Sequence, residues 1–266
     1  MKKRFLIPFV LVTSAVGLIG PTPKDASAEP AAAAKLSAAE IVIKVLDSDP
    51  WGLSGAEVKA RAIVTKDGKT RELAFEAKSR RNLTNHTSMS VISFSAPADI
   101  AGSRFLQLQN VSDDDERHLY TPDLKRARRV ASGSRSDTFM GTTFSYADLD
   151  RKDVRDGKAT SLPDETFGKH DCYRISIVPK SSDVYTKIDI WVGKDNLVPL
   201  KTISIDKAGN KKTLVAKEIQ QRGGRYFMTI SKMTDEKGST ELRLEDVKPK
   251  DDVPTDIFTV RSLEKV

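Results

Sequence analysis

"VYTKIDIWV", residues 184–192, alternates without a break. Val184, Thr186, Ile188, Ile190 and Val192 fall on one side of an extended chain, and Tyr185, Lys187, Asp189 and Trp191 on the other, because strand side chains point to opposite faces with a period of two. One face is apolar and the other wet, the pattern of a strand that covers a core. "AEVKARAIV" (56–64) likewise sets Ala56, Val58, Ala60, Ala62 and Val64 against Glu57, Lys59, Arg61 and Ile63, and "TELRLED" (240–246) sets Leu242 and Leu244 among charges. Strands are predicted at 56–65, 71–80, 87–96, 104–110, 116–120, 172–178, 184–192, 198–206, 212–220, 225–233 and 239–247. Between them stand turn sequences such as "KDGK", "GKDN", "KAGN", "RGGR" and "DEKG", which join antiparallel neighbours; parallel strands would need long helical crossovers.

Ahead of the strands, "LSAAEIVIKVLDSD" (36–49) places Ser37 three residues before Glu40 and then Ile41, Val42, Val45 and Leu46 at helical intervals. That is a capping-box start to a short amphipathic helix. A sheet of about eleven strands with one clear helix must curl to cover its inner face. A barrel or half-barrel is the economical arrangement, and the small inward residues Ala56, Ala60, Ala62 and Ala77 leave interior volume. On pattern alone, a packed sandwich core fits equally well.

Lys2, Lys3 and Arg4 precede an apolar run from Phe5 to Gly20 and then Ala26-Ser27-Ala28. This reads as a secretory signal at 1–28 cleaved after Ala28, with a flexible tether at 29–36 and one domain at 37–266. The run is shorter than the roughly 20 residues of a spanning helix. Signal removal takes four basic residues and one acidic residue from totals of 44 and 37, leaving a formal charge of +4. Cys172, in "HDCYRISIV" (170–178), is the single cysteine; it has no intramolecular partner and reads as a buried, inert thiol.

Catalytic parts are scarce. His86, His118 and His170 lie far apart in sequence and none has a second ligand type at a zinc-like spacing. The acid run Asp113–Glu116 lacks the glycine and distal glutamate of a calcium loop and reads as a solvated turn. No catalytic residue, metal or cofactor is expected. A hydrolase stays open only as a triad assembled in space, which sequence order does not reveal.

The long connection from about 121 to 170 contains "DLKRARRVASGSRSDTFMGTTFSYADLD" (123–150), with Lys125, Arg126, Arg128, Arg129 and Arg135 ahead of Phe139, Met140, Phe144 and Tyr146. Nucleic acid is not the expected partner, because the sequence pI of 9.3 includes the signal and the chain is read as exported. A solvated loop is one reading. Yet connections this long are usually functional, and exposed aromatic side chains want burial or a partner.

"FSAPADIAGSRFLQLQN" (94–110), "HLYTPDLKRARRVASGSRSDTFMGTTFSYADLD" (118–150), "IDIWVGKDNLVPLKTISIDKAGNKKTL" (188–214) and "GSTELRLEDVKPKDDVPTDIFTVRSL" (238–263) together resemble the outer-membrane lipoprotein-sorting, LolA-like family. The match runs from about residue 37 onward and is most similar to the longer branch associated with RND-type exporters. It departs from the family pattern around Arg117, His118 and Thr121. The resemblance implies a mainly β fold, a half-open antiparallel β-barrel with a few covering helices and a hydrophobic cavity. It also implies a periplasmic carrier of acyl lipid or lipoprotein; a monomer is the natural default for such a shuttle, and transient membrane-surface contact is expected. The candidate cavity lining is Val58, Ala60, Ala62, Phe75, Leu106, Leu108, Ile188, Ile190, Leu242 and Leu244, all of which also suit ordinary core packing. Phe139, Met140, Phe144 and Tyr146 are candidates for the cavity mouth. Lys125, Arg126, Arg128, Arg129 and Arg135 are candidates to meet anionic headgroups or an acidic docking surface. An accessory that docks on an RND-type transporter without lipid of its own is the alternative function.

Overall fold

The computed structural model describes residues 36–111, 114–181 and 183–265; the proposed signal, nearly all of the tether, and Asp113 of the acid run lie outside them. Helix α1 (Ala38–Ser48) begins at its capping box: the Glu40 N–H donates to Ser37 Oγ at 3.3 Å, and the Ser37 N–H donates to Glu40 Oε2 at 2.8 Å. Its apolar stripe, Ile41, Val42, Val45 and Leu46, is buried.

Six strands follow as a meander: β1 (Ala56–Lys66), β2 (Lys69–Asn82), β3 (Thr87–Ala96), β4 (Arg104–Leu108), β5 (Glu116–Thr121) and β6 (Arg126–Arg129). The next stretch holds a 3-10 turn (Ser132–Ser136) and two short helices, α2 (Tyr146–Asp150) and α3 (Lys152–Arg155). A second meander comprises β7 (Lys158–Phe167), β8 (His170–Val178), β9 (Tyr185–Gly193), β10 (Pro199–Asp206), β11 (Lys211–Arg222), β12 (Arg225–Asp235) and β13 (Gly238–Pro249), and α4 (Val260–Glu264) follows. The first strand pairs antiparallel with the last, Ala56 opposite Pro249 and Lys66 opposite Gly238. All thirteen strands therefore form one antiparallel sheet in the order β6-β5-β4-β3-β2-β1-β13-β12-β11-β10-β9-β8-β7. It is not closed: β6 and β7 are its two edges.

Two of these strands correct the sequence reading, since β6 and β7 lie inside the expected loop at 121–170. Their absence from the pattern has a physical cause. Both are edges, and β7 is half-exposed or exposed along its whole length, so no buried face imposes alternation. Pro163 in β7 is tolerated because an edge strand need not donate every amide to a ladder.

The core lies on both faces of the sheet. On one face Ala60, Leu73, Phe94 and Phe105 pack with Phe139 and Tyr146 from the connection after β6. Near β6, the other face carries Leu106, Tyr120, Val253, Phe258 and Leu263. Phe105 is fully buried, with ring centroids 5.0 Å from Phe139 and 5.6 Å from Tyr146. Phe105→Ala is expected to cost about 3–5 kcal/mol of unfolding free energy, whereas Leu83→Ala, at a site 53% exposed, should fall within about 0.5 kcal/mol of wild type. Denaturant titration checks both, and equal effects would contradict this assignment of the core.

Candidate functional site

The curl of the sheet encloses a cavity of ≈ 140 Å³. Val58, Leu73, Phe75, Ile92 and Phe94 of β1–β3 face it from one flank, and Ile188, Ile190, Val192, Leu214, Met233, Leu242 and Leu244 of β9–β13 from the other. Helix α1 closes part of the open side with Val42, Val45 and Leu46, and residues 139–154 close another part with Phe139, Phe144, Ala147, Leu149 and Val154. The lining is mostly apolar, with Asp148, Arg151, Asp153 and Lys212 as its charged members, and a predominantly hydrophobic pocket with a few polar groups suits an apolar guest.

The covering segment is held by specific contacts. Phe139 and Phe144 are drawn together by a tight turn in which the Phe139 N–H donates to the Phe144 carbonyl at 2.7 Å. Met140 (φ 51°) and Gly141 (φ 76°) occupy the left-handed positions this turn requires, a conformation glycine adopts freely. The Thr143 N–H donates to Thr240 Oγ1 on β13 at 2.9 Å. Asp148 then accepts from Tyr185 Oη on β9 at 2.7 Å and from Lys212 Nζ on β11 at 2.9 Å. Burial, reinforced by the Asp148 charge, pushes the Tyr185 hydroxyl well above its ordinary pKa, which keeps it a neutral donor.

A buried ionic cluster ties the same segment to the sheet near β5. Arg117, among the largest fully buried side chains, donates to Asp150, whose side chain has no exposed surface. Asp150 also accepts from Arg135 Nε at 2.9 Å, and Arg135 reaches Asp153 at 3.1 Å and Asp183 as well. Asp115 stands 3.8 Å from Arg117. Burial raises the Asp115 pKa, with repulsion from Asp150 adding to it. Burial likewise lifts Asp153 to about 6 against the attraction of Arg135. Buried charges of this kind persist only when paired and hydrogen-bonded.

Of the predicted cavity residues, Val58, Ala62, Phe75, Ile188, Ile190, Leu242 and Leu244 line the cavity. Ala60 is buried in the adjoining core without reaching the lining. Leu106 and Leu108 require correction: they pack on the opposite face with Val253, Phe258 and Leu263, and Phe105 points inward instead. In "RFLQL" both faces of the strand are covered, so alternation carries no sign of which side is inside. Phe139 and Phe144 line the cavity, Met140 packs half-buried against the core, and Tyr146 is buried beside Phe105 and Phe139.

Lys125, Arg126, Arg128 and Arg129 are exposed along the β5–β6 turn and β6, whereas Arg135 is 5% exposed and locked among three aspartates. Grouping Arg135 with the surface arginines is therefore corrected. The acid run is likewise no simple solvated turn, since Asp115 is buried and takes the Gln107 amide and the Asn110 N–H. Trp51 also lines the cavity; its contribution and those of Met233 and the ionic cluster went unrecognised in the sequence. Asp150 and Arg135 lie in a stretch without periodicity, whereas the helical spacing of Val42, Val45 and Leu46, which also line the cavity, was a legible signal.

Among the described residues, no group of His, Cys, Asp and Glu could hold a metal. His86, His118 and His170 sit apart, beside Asp47, Glu116 and Asp195 respectively. Cys172 is free and fully buried, and burial raises its thiol pKa, so it is no ready nucleophile.

Solved structures share the fold of this incomplete antiparallel barrel. A domain from Vibrio parahaemolyticus described as outer membrane lipoprotein-sorting is 25% identical, with a TM-score of 0.78 over 86% of this chain and 98% of that one. A DUF1329 family protein from Desulfovibrio piger is 22% identical, with a TM-score of 0.76 over 85% and 97%. A LolA superfamily protein from Nitrosomonas europaea is 19% identical, with a TM-score of 0.67 over 85% and 98%. No curated protein matches the chain. A family model described as "uncharacterized protein" matches residues 86–265, and the chain belongs to that family.

The ionic cluster generates a pH prediction. The folded Asp153 pKa of about 6 exceeds the unfolded value of about 4, so between these values the folded chain binds the proton that the unfolded chain releases. This carboxyl therefore adds stability as pH falls through 6 toward 4 and opposes folding above that window. Comparing wild type with Asp153→Asn by denaturant unfolding, the difference should shift in favour of wild type by up to about 3 kcal/mol from pH 7 to pH 4. A pH-independent difference would mean that the Asp153 carboxyl titrates normally.

Proposed function

We propose that the protein is a periplasmic carrier that takes acyl chains of a lipid or lipoprotein into the barrel cavity and passes them between membrane components. The cavity carries this reading: it is walled by strands from both halves of the sheet and roofed by α1 and residues 139–154. Each acyl methylene removed from water contributes about 0.8 kcal/mol, so such a site needs area and dryness rather than reactive groups. The likeness to a lipoprotein-sorting domain and to a LolA superfamily protein supports the same reading. So does the exported address of the sequence. The covering segment supplies the means of access, since its attachments to Tyr185, Lys212 and Thr240 and its Asp150 ion pairs all involve side chains, so displacing it breaks no strand pair.

Mass spectrometry of an organic extract of the exported protein, purified without detergent, tests the carrier reading. An acyl lipid present in near-equal amount, and absent from an unrelated exported protein, is the expected result. Ala62→Phe projects bulk into the cavity and should abolish that lipid at a cost of about 1–3 kcal/mol in stability. An empty extract, with no uptake of an apolar fluorescent probe by wild type, would overturn the reading and leave the transporter-docking accessory.

A further inference from the structure

The sheet ends at β6, which pairs only with β5. On its free side the Ala127 N–H donates to the Glu264 carboxylate of α4 at 2.8 Å, so helix and strand make one continuous surface. Lys125, Arg126, Arg128 and Arg129 are all exposed there. None forms an ion pair with a described residue. Elsewhere on the sheet Lys59 pairs with Glu76 at 3.2 Å, Arg61 with Glu72 at 3.0 Å and Arg243 with Glu241 at 2.6 Å, while other exposed lysines such as Lys66, Lys78 and Lys217 stand singly among neighbours of both signs; four exposed cations within five residues set β6 apart.

Residues 122–130 contain four cations and Asp123, and residues 260–265 contain Arg261, Lys265 and Glu264, a net of +4 across the two stretches. Residues 36–266 also carry a net of +4, from 39 basic and 35 acidic residues. The rest of that chain therefore sums to zero, so this edge carries as much excess positive charge as residues 36–266 do together. Charged residues do protect edge strands from pairing with other chains. Here Glu264 already covers a free amide, and a cluster of unmatched cations goes beyond that need. Two large apolar side chains accompany the charge: Leu124, 46% exposed at the tip of the turn, and Val260, 37% exposed on α4.

We propose that the β5–β6 turn, β6 and α4 form a docking surface for a layer of anionic phospholipid headgroups. Along β6 successive side chains point to opposite faces, so Arg128 and Arg129 leave the edge on different sides. A fluid layer of phosphates can close around such an edge, whereas a rigid acidic protein face would meet only one side of it. Guanidinium groups fork onto phosphate oxygens. Leu124 and Val260 enter the boundary between headgroups and acyl chains, as apolar residues of peripheral proteins do. This surface lies outside the cavity lining and does not depend on which cargo the cavity takes.

Flotation of the full protein with vesicles of pure phosphatidylglycerol and of pure phosphatidylcholine tests the proposal at low salt. Wild type should float with the first and not the second, and added salt should weaken the association. At about fivefold per cation, the triple variant Arg126→Gln/Arg128→Gln/Arg129→Gln should lose about a hundredfold in partitioning. The corresponding triple lysine variant should retain most of it, and Leu124→Ser should weaken it at unchanged salt dependence. Equal flotation with both vesicles, or an undiminished glutamine variant, would overturn the proposal. Failure to float with phosphatidylglycerol, alongside capture of wild type but not the glutamine variant by immobilised polyglutamate, would overturn it in favour of an acidic protein partner.

Discussion

Where the backbone ladder stops, side chains take over. No strand pairing joins β6 to β7, and the chain between those edges is fastened by Arg117, Asp150, Arg135, Asp153 and Asp183 instead. A buried ionic cluster is an expensive fastener, because each charge must be taken out of water and matched closely. It offers one property that a strand ladder lacks: its geometry fixes the position of a short segment without making that segment part of the sheet. Residues 139–154 can therefore roof the cavity while the strands beneath keep their own hydrogen bonds.

The arrangement separates two demands on the fold. Permanence resides in the thirteen-strand sheet and in the core around Phe105, Leu73 and Phe94. The roof is attached by other means: Phe139 and Phe144 meet the enclosed space and are held through the Thr143, Asp148 and Asp150 contacts. The carrier proposed above would use both, since its wall must keep its shape while its roof admits cargo. The basic edge lies beyond the cavity, so contact with a charged surface and enclosure of an apolar chain occupy different residues.

Legibility in the sequence followed burial. Strands with one wet and one covered face, such as 184–192 and 56–64, announced themselves by alternation, and α1 by its capping box and stripe. β6 and β7 stayed silent because exposed edges impose no pattern, and β4 gave an ambiguous one because both its faces are covered. Seven of the proposed lining residues face the cavity because alternation fixes the side of a strand once one face is known. Arg135 was misread for a different reason: a guanidinium beside surface arginines in sequence is indistinguishable from them until Asp150, Asp153 and Asp183, 15 to 48 residues onward, are brought around it. The resemblance conveyed the half-open barrel as a whole, but not which side chains stitch its gap.

The pairing of β1 with β13 has a consequence for how the molecule comes into being. Ala56 meets Pro249 across about 190 residues of chain, and this one ladder joins the two meanders. Each meander can form from local hairpins as it emerges, yet the joint between them must wait until the final strand has been delivered. Loop closure over such a distance is slow. The apolar flank of β1 thus has an obligatory period of exposure during synthesis, when the chain is best suited to be threaded elsewhere before it folds.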